Sequence, residues 1–413
     1  MHPALSVIFF STLSGTGYGL WFWWASSLLG HNRDFGIKDY LTLAIGTLFV
    51  ISGLLCSTMH LGVSLDSRAG ALPKVLLHEH LDGSLRIGTL LELLDARGIA
   101  APAADGAALS RWFDANANAG SLERYLEAFG LTVAAMASPD AMKRVAFEAA
   151  EDARAQGALL AEFRIAPLLF EPFGMTGDAV IEALIDGLAM SPLPTGLISS
   201  ALRDQSSAHT TQAAAMAQRW HARAGSGGRG ACAGVVAFDL AGAERGHPPA
   251  DHAAALALCR ENGLPLTLHA GEADAAERVV EAGRLGATRI GHGVRLVDAL
   301  NDPARRHLVD EVMAMGLHLE VCPTSNLHTG AAASISTHPI TALWRAGVSL
   351  SYHTDNTLMS RISHSHEAAA LLEHTPLTES DLLRMALQAA EASFLPAAQR
   401  TRAAHTIRAA MGG

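Results

Sequence analysis

Two histidines flank a glutamate in "KVLLHEHLDGSLR", residues 74–86, at the end of an apolar run. Residues two apart in a strand point to the same face. A strand over 75–80 therefore carries Leu76, His78 and His80 on one side. Neutral imidazole is the commonest metal ligand, so a shared metal ion would account for the pair. Two exposed or separately hydrogen-bonded histidines are the ordinary alternative. A helical HExxH zinc motif is excluded, because its second histidine would fall at Asp82.

Further reactive residues recur at the ends of other short β-rich runs. "FDLAGAE" closes one; "LTLHAGEA" brings His269 and Glu272, "RIGHGV" brings His292, and "EVCPTSN" and "SYHTDN" follow, the last with Asp355. Three histidines and one carboxylate suit a zinc ion with nitrogen and oxygen ligands and an open position for water. Water held there ionises near neutral pH and becomes a nucleophile. No thiolate accompanies the set, so soft-metal and structural cysteine sites are not indicated. Glu272 follows His269 across the tight Ala270-Gly271 turn. Beside apolar surface and away from cations its carboxyl would keep its proton and act as an acid. Alternatively it orients His269. His292 is a second candidate for proton transfer.

These residues must be positioned by the elements that precede them. Eight β-rich runs are read, at 75–80, 160–165, 196–201, 235–239, 264–269, 288–291, 317–321 and 348–353. Helical patterns at 87–97, 139–156, 249–262 and 303–315 lie between them. The alternation predicts an α/β fold, a (β/α)8 TIM barrel, whose active site sits at the carboxyl ends of the strands. A helix-rich insert over 101–137 follows the first strand and would form a lid over the mouth. "GSGGRGACAG", 225–234, reads as a flexible surface loop.

The chain has 413 residues and a formal net charge of -10, which argues against a broad nucleic-acid surface. Its four cysteines are scattered, with no CxxC pair, as in a reducing compartment. The opening differs from the rest. Between Met1 and His60 the only charged side chains are Arg33, Asp34, Lys38 and Asp39. The apolar stretches on either side each reach the ~20 residues that cross a bilayer as a helix. Trp21, Trp23 and Trp24 cluster as interfacial aromatics do, and Gly15, Gly17 and Gly19 offer a close-packing face. The domain reading is thus an apolar two-helix segment at 1–65, a transmembrane hairpin by composition. A linker at 66–73 and a barrel domain at 74–413 follow.

From residue 74 to about 395 the chain resembles the adenosine deaminase family of metal-dependent hydrolases. "LLHEHLDGSLR", "FDLAGAE", "LTLHAGEA", "RIGHGVRL", "EVCPTSNL" and "SLSYHTDN" carry the likeness, in the family's order and spacing. The cytidine and tRNA-adenosine deaminases have an HxE and PCxxC signature instead, and no PCxxC exists here. The resemblance implies zinc-dependent hydrolysis of adenosine, and of 2′-deoxyadenosine, to inosine and ammonia. It implies one zinc ion per chain on His78, His80, His269 and Asp355, and attack of an activated water on purine C6. Glu272 would protonate ring N1, His292 would orient the water, and Asp355 would help as acceptor. His80 would also face the substrate. Gly242 would offer its N–H to purine N3, and Asp82 would accept from the ribose 5′-hydroxyl. A turn glycine and a helix N-cap are the plain alternatives for these two.

The last motif departs from the family's Asp-Asp, since Asn356 follows Asp355; an amide can donate to purine N7 without being protonated. His353 stands where the family usually has Asn, either as a supporting donor or in packing, and His364 and His366 receive no role. Adenine, or a modified adenosine such as aminofutalosine, is the alternative substrate. The expected partner is a small purine nucleoside, not nucleic acid, and the catalytic domain is expected in the cytoplasm. The opening resembles the N-terminal part of the membrane-anchor subunit of dimethyl sulfoxide reductase-type enzymes. "MHPALSVIFF", "GTGYGL" and "GLLCSTMHLG" carry that likeness. Only two spans remain of a longer anchor, so the join reads as a fusion or a misjoined gene. Membrane attachment, or a non-catalytic anchor subunit, would follow only from that segment.

Overall fold

A computed structural model describes residues 65–118, 122–126, 128–227 and 229–412. The two apolar stretches expected to span a membrane lie outside the described residues. Among the described residues no helix is long and apolar enough to cross a membrane. The chain divides between Ala69 and Gly70 into two units, and the second holds every element below except the start of a short helix, Leu65–Ala71, which overlaps the expected linker at 66–73.

Eight parallel strands pair in sequence order, as in a TIM barrel. They are β1 (Lys74–His80), β2 (Ala158–Ile165), β3 (Thr195–Leu202), β4 (Cys232–Ala241), β5 (Leu266–Ala270), β6 (Arg289–His292), β7 (His318–Val321) and β8 (Leu350–Tyr352). Strands in such a sheet are covered on both faces, so they read as near-continuous apolar runs; "CAGVVAFDLA" shows this, whereas "KVLLHEH" is buried up to His80 while carrying the polar residues of the site. Val75, Leu77, Leu160, Ile198 and Val236 pack with residues of the last two helices, Glu379–Ala392 and Ala397–Met411. Helix starts follow local chemistry. Ser138 accepts from the Ala141 N–H ahead of Pro139–Ala155, and Thr378 forms a capping box with Asp381.

Between β1 and β8 the joint is a bridge rather than a ladder. The Asp355 N–H donates to the His78 carbonyl at 3.0 Å, and the His80 N–H donates to the Asp355 carbonyl at 2.7 Å. The interior beneath is charged. Arg164 pairs with Asp239 at 3.2 Å and Glu320 at 2.5 Å, and Arg289 pairs with Glu320 and Glu162 at 2.6 Å each. All five side chains are buried, and paired burial is the condition under which such charges persist.

Three local readings differ from the sequence expectation. The glycine-rich stretch at 225–234 is not all loop: the helix Ser207–Gly227 runs into it and β4 begins at Cys232. The helix over 249–262 starts as a 3-10 turn, Pro249–His252, before Ala253–Glu261. β8 stops at Tyr352, because the next three residues turn to deliver Asp355 to β1. The insert after β1 is helical as expected, with Gly106–Ala117, Leu122–Leu126 and Phe129–Met136.

Candidate active site

Four side chains from three places meet at the carboxyl end of the sheet. His78 and His80 share the inner face of β1, His269 ends β5, and Asp355 follows β8. Each presents one ligand atom, all within 4.8 Å of one another. The His80 Nε2 lies 3.2 Å from the His269 Nε2 and 3.5 Å from the Asp355 Oδ1, which is 3.3 Å from the His78 Nε2.

Carboxylates behind the ring fix two of the imidazoles. His78 Nδ1 donates to Glu320 Oε2 at 2.8 Å, and His269 Nδ1 donates to Asp239 Oδ1 at 3.0 Å. With the hydrogen on Nδ1, each Nε2 turns a lone pair toward the cluster. The His78 Nε2 is buried there without a hydrogen-bond partner. Burial also holds His80 and His269 below the ordinary imidazole range, in the neutral ligating form. Lone pairs and a carboxylate crowded into a buried space repel one another unless a cation sits among them. The donor set therefore fits a divalent metal. Ser325 Oγ donates to the remaining Asp355 oxygen at 2.6 Å and fixes the carboxylate plane.

Glu272 stands beside this cluster. Its Oε1 accepts from Thr329 Oγ1 at 2.8 Å and Asn326 Nδ2 at 3.2 Å, while its backbone N–H donates to Glu244 Oε2 at 3.0 Å. Burial, then repulsion from Asp355 and Glu244, pushes its carboxyl up to about 8. A carboxyl raised in this way keeps its proton at neutral pH. The same Asn326 amide donates to His292 Nδ1 at 3.1 Å, which leaves the hydrogen on Nε2, 3.4 Å from Glu272 Oε2. His292 thus faces the site as a donor.

The backbone here is under constraint. His292 and Asp355 hold φ values of 63° and 61°, rare for residues other than glycine and concentrated at functional sites. A Cβ on Gly291 would stand 2.9 Å from the His78 ring, so only glycine lets β6 come this close. One on Gly83 would fall 1.9 Å from Asn356 Oδ1.

A cavity of about 400 Å³ opens from these groups, within the range of small-molecule sites. His80, Asp82, Gly242, His269, Glu272, His292, Asp355 and Asn356 all line it. Asp82 is buried, one of its oxygens has no partner, and burial pushes it up to about 7. Gly242 takes φ 88°, and the buried Asn356 has an unpartnered Oδ1. Leu122, Tyr125, Leu126, Phe129 and Val133 of the insert form one apolar wall, where the lid was expected. His353 and His364 lie outside the lining: His353 bonds to β1, and His364 Nε2 donates to the Tyr352 carbonyl at 3.0 Å.

Sequence reasoning quoted most of the supporting residues without seeing their work. Asp239, Glu244, Glu320, Ser325 and Asn326 all sit in the strand-end motifs. Their partners lie on other strands, so spacing along the chain carries no sign of them. A charged residue at an inward position of a buried strand was the available signal for Asp239 and Glu320.

Residues 73–410 match the family model described as adenosine deaminase. An adenosine deaminase of Mycobacterium bovis is 39% identical over 344 residues, covering 79% of this chain and 91% of the relative. Two solved structures share the fold. The adenine deaminase of Arthrobacter aurescens has a TM-score of 0.74 at 22% identity, over 83% of this chain and all of that one, 100%. An amidohydrolase of Burkholderia ambifaria, solved with bound zinc, has a TM-score of 0.70 at 21% identity, over 85% and 94%. The family match begins at residue 73 and lends no support to the likeness of the opening to a membrane anchor.

Proposed function

The chain belongs to the adenosine deaminase family, and on that premise we propose how its site hydrolyses the C6 amino group of adenosine, giving inosine and ammonia. The enzyme is a hydrolase acting on C–N bonds, and its substrate is a small purine. The observation that carries the residue assignment is the meeting of His78, His80, His269 and Asp355 beside a Glu272 that keeps its proton. A zinc ion held by those four residues would supply a water of lowered pKa and a polarising charge.

The chain's own groups do the rest. Asp355 accepts a proton as the water oxygen bonds to C6. Glu272 gives its proton to N1, so the ring electrons displaced from C6 end on a neutral nitrogen. Positioned proton transfer of this kind is worth about 10²–10⁴-fold in rate. His292 donates from Nε2 to the incoming oxygen and holds it on one face of the ring. The C6–N bond then breaks as Asp355 passes its proton to the amino nitrogen, which leaves as ammonia; the C6 hydroxyl becomes the carbonyl as its proton returns to Glu272, and N1–H remains in inosine. The Gly242 N–H faces N3, the Asn356 amide faces N7, and His80 borders the reacting carbon. Asp82 takes the ribose 5′-hydroxyl, which favours a nucleoside over free adenine.

The lining also bears on phosphate. It includes Asp82, Asp204, Glu272 and Asp355 but no lysine or arginine among the described residues. The catalytic domain is read as cytoplasmic, with attachment to a membrane resting on residues 1–65 alone. Turnover of adenosine, 2′-deoxyadenosine, adenine and AMP, side by side, tests the reading. Adenosine and 2′-deoxyadenosine should be deaminated fastest. Faster release of ammonia from adenine would overturn the nucleoside assignment.

A further inference from the structure

His353 stands at the weakest joint of the sheet. β8 is three residues long and shares no ladder with β1 among the described residues. The buried His353 spans the gap. Its backbone N–H donates to the Val321 carbonyl of β7 at 2.8 Å, and its Nδ1 accepts from the Leu77 N–H of β1 at 3.2 Å. An imidazole thus takes a backbone amide that a neighbouring strand's carbonyl would take in a regular ladder.

That amide sets the protons of a whole chain of groups. Because Leu77 N–H can only donate, His353 Nδ1 is the acceptor and its hydrogen lies on Nε2. Nε2 donates to Ser351 Oγ at 2.7 Å, Ser351 donates to His318 Nε2 at 2.7 Å, and His318 Nδ1 donates to Ser349 Oγ at 2.9 Å. The ring is therefore held at both nitrogens, in one tautomer and one orientation. Two residues on, Asp355 holds a left-handed φ of 61° and bonds to the same strand through His78 and His80. A residue in that conformation keeps it only when its surroundings over-determine it.

We infer that His353 is a positioning residue for Asp355, stapling the end of β8 to β1 so that the strained aspartate presents its carboxylate to the two β1 histidines. This rests on the metal reading of that cluster. The staple needs an acceptor for Leu77 N–H and a donor for Ser351. Asn offers both on one side chain, whereas Leu fills similar space and offers neither.

The test is zinc affinity of the full metal-free chain, read by competition with a chromogenic chelator, together with the unfolding midpoint of the metal-free protein. His353→Leu should bind zinc at least about tenfold more weakly, the scale on which ligand-supporting partners act. His353→Asn should recover most of that loss. A packing defect would lower the midpoint of the metal-free protein and leave the affinity of the folded fraction unchanged. The inference is overturned if folded His353→Leu binds within threefold of wild type, or if Leu and Asn weaken binding equally. Should the Leu variant fail to fold, Ser351→Ala decides: it frees the ring and should weaken binding severalfold, and unchanged affinity would refute the staple. A wild-type chain that takes no zinc would instead end the metal reading itself.

Discussion

Glu272 shows how environment assigns a role to a residue. Burial and two nearby carboxylates push its pKa up to about 8. The acid form therefore predominates below that pH and is lost as pH rises through it. We predict that kcat/KM for adenosine falls on the alkaline side of about pH 8, read from a pH–rate profile. Glu272→Gln should lower turnover by about 10²–10⁴-fold and leave metal content unchanged, since it removes the proton and not a ligand. Glu320 is different in kind. It touches no substrate, yet it holds His78 and pairs with both Arg164 and Arg289. Glu320→Gln should cost about 3–5 kcal/mol in urea unfolding, because it leaves buried guanidinium groups under-compensated. Its zinc affinity should fall about 10–100-fold by chelator competition.

At the level of elements, period-two alternation was enough to put His78 and His80 on one face, and the strand-end rule of a barrel was enough to gather His269, Glu272, His292 and Asp355. What escaped was set by contacts between strands. Nothing along the chain says that Glu320 of β7 reaches His78 of β1, or that Asn326 serves both Glu272 and His292. His353 read as the end of a strand, but the strand stops before it, because its ring rather than its backbone joins β1. The insert was legible as helix, and its apolar residues Leu122, Leu126, Phe129 and Val133 line the cavity. Phe129 is half-buried on that wall. Phe129→Ala should raise KM for adenosine about fivefold, for roughly 1 kcal/mol of lost apolar contact. Zinc content should stay as in the wild type.

For the molecule as a whole, the sequence's net charge of -10 and the acidic lining of the cavity point the same way. A nucleotide's phosphate would meet Asp82 or Asp204, with no lysine or arginine among the described lining residues to balance it. Like charges brought together in this way cost several kcal/mol. We predict a kcat/KM for AMP at least about 100-fold below that for adenosine, measured by ammonia release. The buried Arg–Glu–Asp layer under the site then has a plain purpose: it holds the imidazoles in one tautomer over a charged floor. The most direct test is metal analysis alongside adenosine turnover, on the full chain and on His269→Ala. One zinc ion per wild-type chain, with both zinc and turnover lost in the variant, is the predicted result. Zinc and activity both retained by His269→Ala would contradict it.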